Sequence, residues 1–202
     1  MTGTRRLSQA ISEGDGISVI VEADGPDTAR AAEEAGAAAM VANGDRLEET
    51  RRATTLPIIW RARAGDRAES GAHAGADACL VDAHGFEDED DDGPATVLYA
   101  GALEAGLECV VRVSTGEDLE AALEALDPEI FLLAPGDDDG PEQRVERVLD
   151  LLADVPAGKL AIAEVGARTR EELEELERAG VDGVIAGAAN VAALVGAAPP
   201  EV

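Results

Sequence analysis

Three arginines, two glutamates and one histidine carry the chemistry this sequence offers, and each falls near the end of an apolar run. Arg61 and Arg63 close the stretch "LPIIWRARAGD" (56–66), and Arg112 follows "LECVV". Glu22 ends "ISVIVE", Glu164 ends "KLAIAE", and His84 lies in "VDAHG" (81–85). Planar guanidinium groups suit carboxylate and phosphate, which makes Arg61, Arg63 and Arg112 the candidate ligand-binding side chains. Glu22, Glu164 and His84 are the acid–base candidates, since carboxylate and imidazole can both be tuned toward neutral pH. The competing use of the arginines is internal: pairing with Glu22, Asp24, Asp82 and Glu164 would fill the same space with neutralised charge. Trp60 alternates with Arg61 and is expected to face the opposite side, as a core anchor.

What could bring these residues together is a repeat. The phrases "EEAGAAAMV" (33–41), "AHAGADACLV" (72–81), "ALEAGLECVV" (102–111) and "ERAGVDGVIAG" (177–187) share one grammar. An alanine-rich helix ends at a glycine C-cap, and a short apolar strand begins two or three residues later. Strands "ISVIVEA" (17–23), "LPIIWR" (56–61), "EIFLLA" (129–134) and "KLAIAEV" (159–165) fit between them and bring the total to eight. Their continuous apolar character is that of strands buried on both faces. Helix starts are legible as well. "STGE" (114–117) and "TREE" (169–172) read as capping boxes, and Pro26 and Pro141 suit first-turn positions. Eight strands alternating with helices predict a parallel (β/α)₈ TIM barrel over 17–197, with a short N-terminal segment (1–16) and a C-terminal tail (198–202). An open doubly wound sheet is the alternative, but "EADGPD" after the first strand lacks its glycine fingerprint.

A barrel places its ligand at the C-terminal ends of the strands. Read in order, those ends give Glu22 and Asp24, Asn43, Arg61 and Arg63, and Asp82 and His84. The later strands give Arg112 and Ser114, Ala134 and Pro135, Glu164 and Gly166, and Gly187 with Asn190. Backbone amides near Gly166 and Gly187 could cradle a phosphate. No His, Cys or carboxylate cluster has transition-metal spacing, and the acidic runs at 87–92 and 137–139 lack the pattern of a calcium loop. Neither metal nor cofactor is expected. His73, in the helix "AESGAHAGAD", is expected to be structural.

Composition narrows the partners. The chain has 43 acidic and 16 basic residues, for a net charge of −27. Fifteen of the basic residues are arginines, and the one lysine is Lys159. Such a surface repels nucleic acid and anionic lipid. Abundant acids, almost no lysine and 2 % aromatics resemble proteins of salt-accumulating, halophilic cytoplasms. A coding bias toward Ala, Arg and Asp produces the same profile. No stretch has the length of a membrane span or a signal-peptide core. Cys79 and Cys109 sit in strand-like runs, as ordinary buried thiols of a cytoplasmic protein.

Several segments together resemble a known family. "EEAGAAAMVANGD", "LPIIWRARAGD", "GADACLVDA", "LECVVRVSTGEDLEAAL" and "AIAEVGARTREELEELERAGVDGVIAGAANV" are similar, in order, to segments of indole-3-glycerol phosphate synthase, a barrel lyase of tryptophan biosynthesis. The resemblance implies a catalytic glutamate at Glu22, with a lysine two residues on where Asp24 stands. It implies a general-acid lysine at Arg61 and a catalytic glutamate at Arg112. Paired asparagines become Ala134 and Pro135. The seventh-strand motif keeps Glu164 and Gly166 but loses both serines, and the eighth keeps Gly187. Arginine cannot replace lysine as proton donor, because its pKa stays above about 12. The expectation is a barrel that has lost the synthase activity and binds a small phosphorylated or carboxylated metabolite, or serves as a pseudoenzyme with a protein partner. The alternative is a surviving lyase or isomerase acting on a phosphorylated sugar-derived metabolite. Family members also carry a longer helical extension ahead of the first strand and a longer loop than "NGDRLEET" after the second, which fits loss of the shielded reaction.

Overall fold

A computed structural model describes residues 5–14, 16–63, 65–85, 93–136 and 140–195. Eight parallel strands close into a barrel in chain order, the last pairing back to the first. They are β1 (Ser18–Ala23), β2 (Ala39–Asn43), β3 (Ile58–Arg61), β4 (Ala78–Asp82), β5 (Glu108–Val113), β6 (Ile130–Leu133), β7 (Leu160–Ala163) and β8 (Gly183–Gly187). The helices are α1 (Arg6–Ser12), α2 (Pro26–Glu34), α3 (Leu47–Ala53), α4 (Ala68–Ala74), α5 (Pro94–Glu104), α6 (Gly116–Ala125), α7 (Pro141–Asp154), α8 (Arg170–Ala179) and α9 (Val191–Val195). The expected (β/α)₈ barrel is the fold. The acidic runs at 87–92 and 137–139 and the tail at 198–202 lie outside the described residues.

The barrel interior is one apolar cluster. Ile20, Val41, Ile59, Leu80, Val110, Leu132, Ile162 and Ile185 contribute to it from all eight strands. Their alternates face the helices, as period-two geometry requires. Trp60 is one of these: it is 2 % exposed and packs with Leu47, Ala68, Cys79 and Ala102. Gly71 makes that possible, since a Cβ there would sit 2.2 Å from Cε3 of the indole. An alanine would have to push α4 off the barrel, at about 1–3 kcal/mol for overpacking.

Local signals mostly held. Thr169 and Glu172 form the expected box at α8, Pro26 and Pro141 begin α2 and α7, and Gly75 and Gly180 cap α4 and α8 at positive φ. The α6 box is shifted by one residue, from Ser114–Glu117 to Thr115–Asp118. Asp118 is buried and its Oδ2 accepts from the Ser114 and Thr115 amides at 2.8 and 2.9 Å. The Ser114 hydroxyl is instead within 3.4 Å of Arg112 Nη1.

The N-terminal segment holds a helix that plugs the barrel floor. Leu7 and Ile11, one turn apart on α1, are 0 % and 3 % exposed and join the interior cluster. The α1 amides of Leu7 and Ser8 donate to the Glu108 carboxylate at 2.7 and 3.0 Å, which satisfies two orphan donors of the first turn. No helix among the described residues is long and apolar enough to cross a membrane.

Candidate ligand site at the barrel mouth

Each barrel strand ends with one inward-pointing residue above the apolar interior, and on five strands that residue is charged and reaches a neighbour. Glu22 is the penultimate residue of β1, opposite Gly187 of β8, Asp82 ends β4 opposite Arg112 of β5, and Arg61 ends β3. Glu164 follows β7 directly. Their side chains form an alternating line across the mouth. Arg61 Nη2 lies 3.1 Å from Glu22 Oε1 and 3.2 Å from Glu164 Oε1. Arg112 Nε lies 3.6 Å from Glu164 Oε2, and its Nη1 lies 3.5 Å from Asp82 Oδ2. Glu164 thus joins both arginines. Three carboxylates share two guanidiniums, which leaves one formal negative charge. All five side chains keep partial solvent access, from 26 % for Glu164 to 60 % for Asp82. Arg61 Nε is buried without a hydrogen-bond partner.

The ring floors a cavity of about 910 Å³ open at the C-terminal face of the barrel. Glu22, Glu164, His84, Arg61, Arg63, Arg112, Gly166 and Gly187 all line it, so the fold brings every candidate from the sequence to one space. They are not equivalent there. The Arg63 guanidinium reaches outward to Asp45 at 2.9 Å instead of joining Arg61 and Arg112, and its amide donates to Asp66. Asp24, expected among the arginine partners, makes no ion pair among the described residues. His84 sits on a 3₁₀ turn after β4 with its side chain 81 % exposed, and its Nδ1 lies 4.0 Å from the buried Asp118. Around Gly166 (φ +68°) and Gly187 the space is open: a Cβ at either would meet nothing within 4 Å. Leu80, Leu98 and Ile185 supply apolar wall.

Arg144 was not read from the sequence, and it also lines the cavity. It stands in the first turns of α7, outside any strand end, so a search along strand termini passes over it. Its signal was the pattern "GPEQRVER": a helix starting at Pro141 after β6 must begin at the mouth. Trp60 and His73 stay out of the site as expected. His73 Nδ1 lies 2.7 Å from the Glu69 carbonyl within α4. Burial pushes both thiols, Cys79 and Cys109, up to about 12, so they are protonated at neutral pH. Among the described residues no group of three His, Cys, Asp or Glu side chains is placed to hold a metal ion.

The family model described as indole-3-glycerol phosphate synthase matches residues 18–194. The indole-3-glycerol phosphate synthase of Geobacillus sp. (strain WCH70) is 30 % identical over 146 residues, covering 70 % of this chain and 54 % of its own. That of Shouchella clausii (strain KSM-K16) is 28 % identical over 170 residues, covering 79 % and 65 %. This chain therefore spans between half and two thirds of the length of these relatives. Among solved structures, the N-acetylmannosamine-6-phosphate 2-epimerase of Clostridium perfringens superposes with a TM-score of 0.63 at 20 % identity, over 86 % of this chain and 87 % of that one. That likeness is one of fold. The match across all eight strands, on a closed barrel with its charged residues gathered at the mouth, places this chain in the indole-3-glycerol phosphate synthase family.

Proposed function

We propose that the mouth binds a small phosphorylated or carboxylated metabolite and does not carry out the ring closure that the family name describes. The observation behind this reading is Arg61. It occupies the third-strand position where the resemblance implies a proton-donating lysine, and its guanidinium bridges Glu22 and Glu164. Ring closure with loss of carbon dioxide and water needs an acid that gives up a proton near neutral pH. A guanidinium does not. It does suit anion binding: it carries five donors in a planar fork, and its side chain keeps partial solvent access. An incoming carboxylate or phosphate would share Arg61 and Arg112 with Glu164. Open backbone at Gly166 and Gly187 leaves room for a phosphate at the far side of the cavity.

The test is thermal unfolding with indole-3-glycerol phosphate, its carboxylated precursor or inorganic phosphate, alongside a fluorescence assay for indole product. Ligand at a hundredfold excess over Kd should add about 2.7 kcal/mol of stability. That gain should vanish in Arg61→Ala, with no indole product formed. Turnover of the precursor that is lost in Glu164→Gln would overturn the reading. A second reading, retained lyase or isomerase chemistry, draws on one observation: His84 and Glu164 line the same cavity. It predicts turnover of a phosphorylated sugar derivative that is lost in His84→Ala as well as in Glu164→Gln.

A further inference from the structure

The charges at the mouth alternate, and that makes it more selective than a cluster of arginines would be. Glu22, Glu164 and Asp82 outnumber Arg61 and Arg112 by one, on a chain that carries −27. A phosphate monoester would add about two negative charges to this already negative line. A lone carboxylate would add fewer, but its position is costly. Glu164 holds Arg61 through Oε1 and Arg112 through Oε2, so an anion spanning the same guanidiniums from the cavity side lies beside a carboxylate. Two carboxylates sharing a site repel unless a cation stands between them. The mouth also has a place for that cation. Glu22 Oε1 and Glu164 Oε1 lie 3.1 and 3.2 Å from one nitrogen, Arg61 Nη2. The two carboxylates therefore converge closely enough for a single nitrogen to bridge them. Glu22 pairs with Arg61 alone among the described residues, and its side chain is half exposed.

We infer, on the anion-binding reading above, that the anion is the carboxylate of a free α-amino acid with an apolar side chain. Its carboxylate spans Arg61 and Arg112, and its α-ammonium sits between Glu22 and Glu164. An ammonium donates in several directions and takes both carboxylates at once. The side chain lies on the apolar wall that Leu80, Leu98 and Ile185 give the same cavity. In an α-amino acid the two charged groups share one carbon, which matches a line whose charge changes sign from one side chain to the next. A zwitterion also leaves the net charge of the mouth unchanged. It therefore escapes the repulsion that a pure anion meets from a chain carrying −27. Neither a carboxylate alone nor an amine alone satisfies both halves.

Isothermal titration calorimetry of the full chain with L-leucine and L-phenylalanine tests this. The comparison ligands lack the amine (isocaproate, phenylpropionate) or the carboxylate (isoamylamine, phenethylamine), and inorganic phosphate is titrated beside them. At least one of the amino acids should bind about tenfold or more tightly than both of its truncated analogues, the worth of a charge-assisted hydrogen bond. Glu22→Gln and Glu164→Gln keep side-chain shape. Each should erode that preference while leaving the acid analogue bound as tightly or more tightly. Arg61→Ala should abolish binding of amino acid and acid alike. A truncated analogue that binds as tightly as its amino acid, or a preference that survives both glutamine changes, would overturn the amino-acid assignment. So would binding of phosphate alone, and in that case the anion site itself would stand. If neither amino acid binds, the assignment falls. The anion-binding reading falls with it only if phosphate, indole-3-glycerol phosphate and its carboxylated precursor fail to bind as well.

Discussion

The two ends of this barrel use the same chemical groups in opposite ways. At the N-terminal floor, Asp77 is 11 % exposed and takes Arg6 at 2.6 Å, Arg51 at 3.1 Å and the Ile58 amide at 2.9 Å. Glu108 takes two amides of α1, and Asp182 takes the Ala161 amide at 2.8 Å. These carboxylates are tied to backbone, so the strands and the plug cannot move without breaking them. At the C-terminal mouth, Glu22 and Glu164 are paired to guanidiniums alone, over a cavity and with water in reach. Carboxylates bound to backbone hold the fold together. Carboxylates bound only to flexible arginines leave those arginines available to a competing anion.

Four substitutions or titrations would sharpen or break that contrast. Asp77→Ala should destabilise the protein most, by about 3 kcal/mol in urea unfolding, because it orphans Arg51 and the Ile58 amide. That is the low end for a broken buried pair, since Arg6 is partly solvated. Glu108→Ala removes the cap of α1 and should cost about 1 kcal/mol. It should also speed amide exchange at Leu7 and Ser8. Glu164→Gln at the mouth should change stability by less than about 1 kcal/mol while weakening or redirecting anion binding. If Glu164→Gln matched Asp77→Ala in cost, the mouth would be structural and the contrast would fail.

The smallest effect is expected at Glu33. Its carboxylate accepts from the Thr55 hydroxyl and then from Thr54, which hold its pKa below the ordinary 4.5. Its contribution is therefore complete above pH 4.5 and fades as pH falls through the lower folded value. Glu33→Gln should lower stability slightly at pH 7 and leave it unchanged at the acid end, so that the acid limb of the stability curve flattens.

Much of the fold was legible because helix-to-strand repeats, proline starts and glycine stops are local features. The box at Thr169 needed only four consecutive residues. The box at 114–117 misled because Ser114 and Thr115 are both competent caps, and the choice fell to where β5 ends and where Asp118 could be buried. α1 was missed because Leu7 and Ile11 make too short a pattern on their own. Their reason to be apolar is the barrel floor, assembled from strands far along the chain.

The site divides the same way. Strand ends named Glu22, Arg61, Asp82, Arg112 and Glu164 as mouth residues, since alternation fixes which side of a strand each one faces. Which carboxylate each arginine takes could not be read. Glu164 lies 103 residues from Arg61, and they meet only because eight strands close a circle. Arg63 shows the limit most plainly: two residues past Arg61, it has left the strand, and a loop aspartate at 45 decides its direction. Sequence by itself determined the barrel, its charge and the residue types at its mouth, because these follow from short-range periodicity and composition. Tertiary structure alone decided the ion pairs and the plug, because each depends on distances between segments that no local pattern encodes.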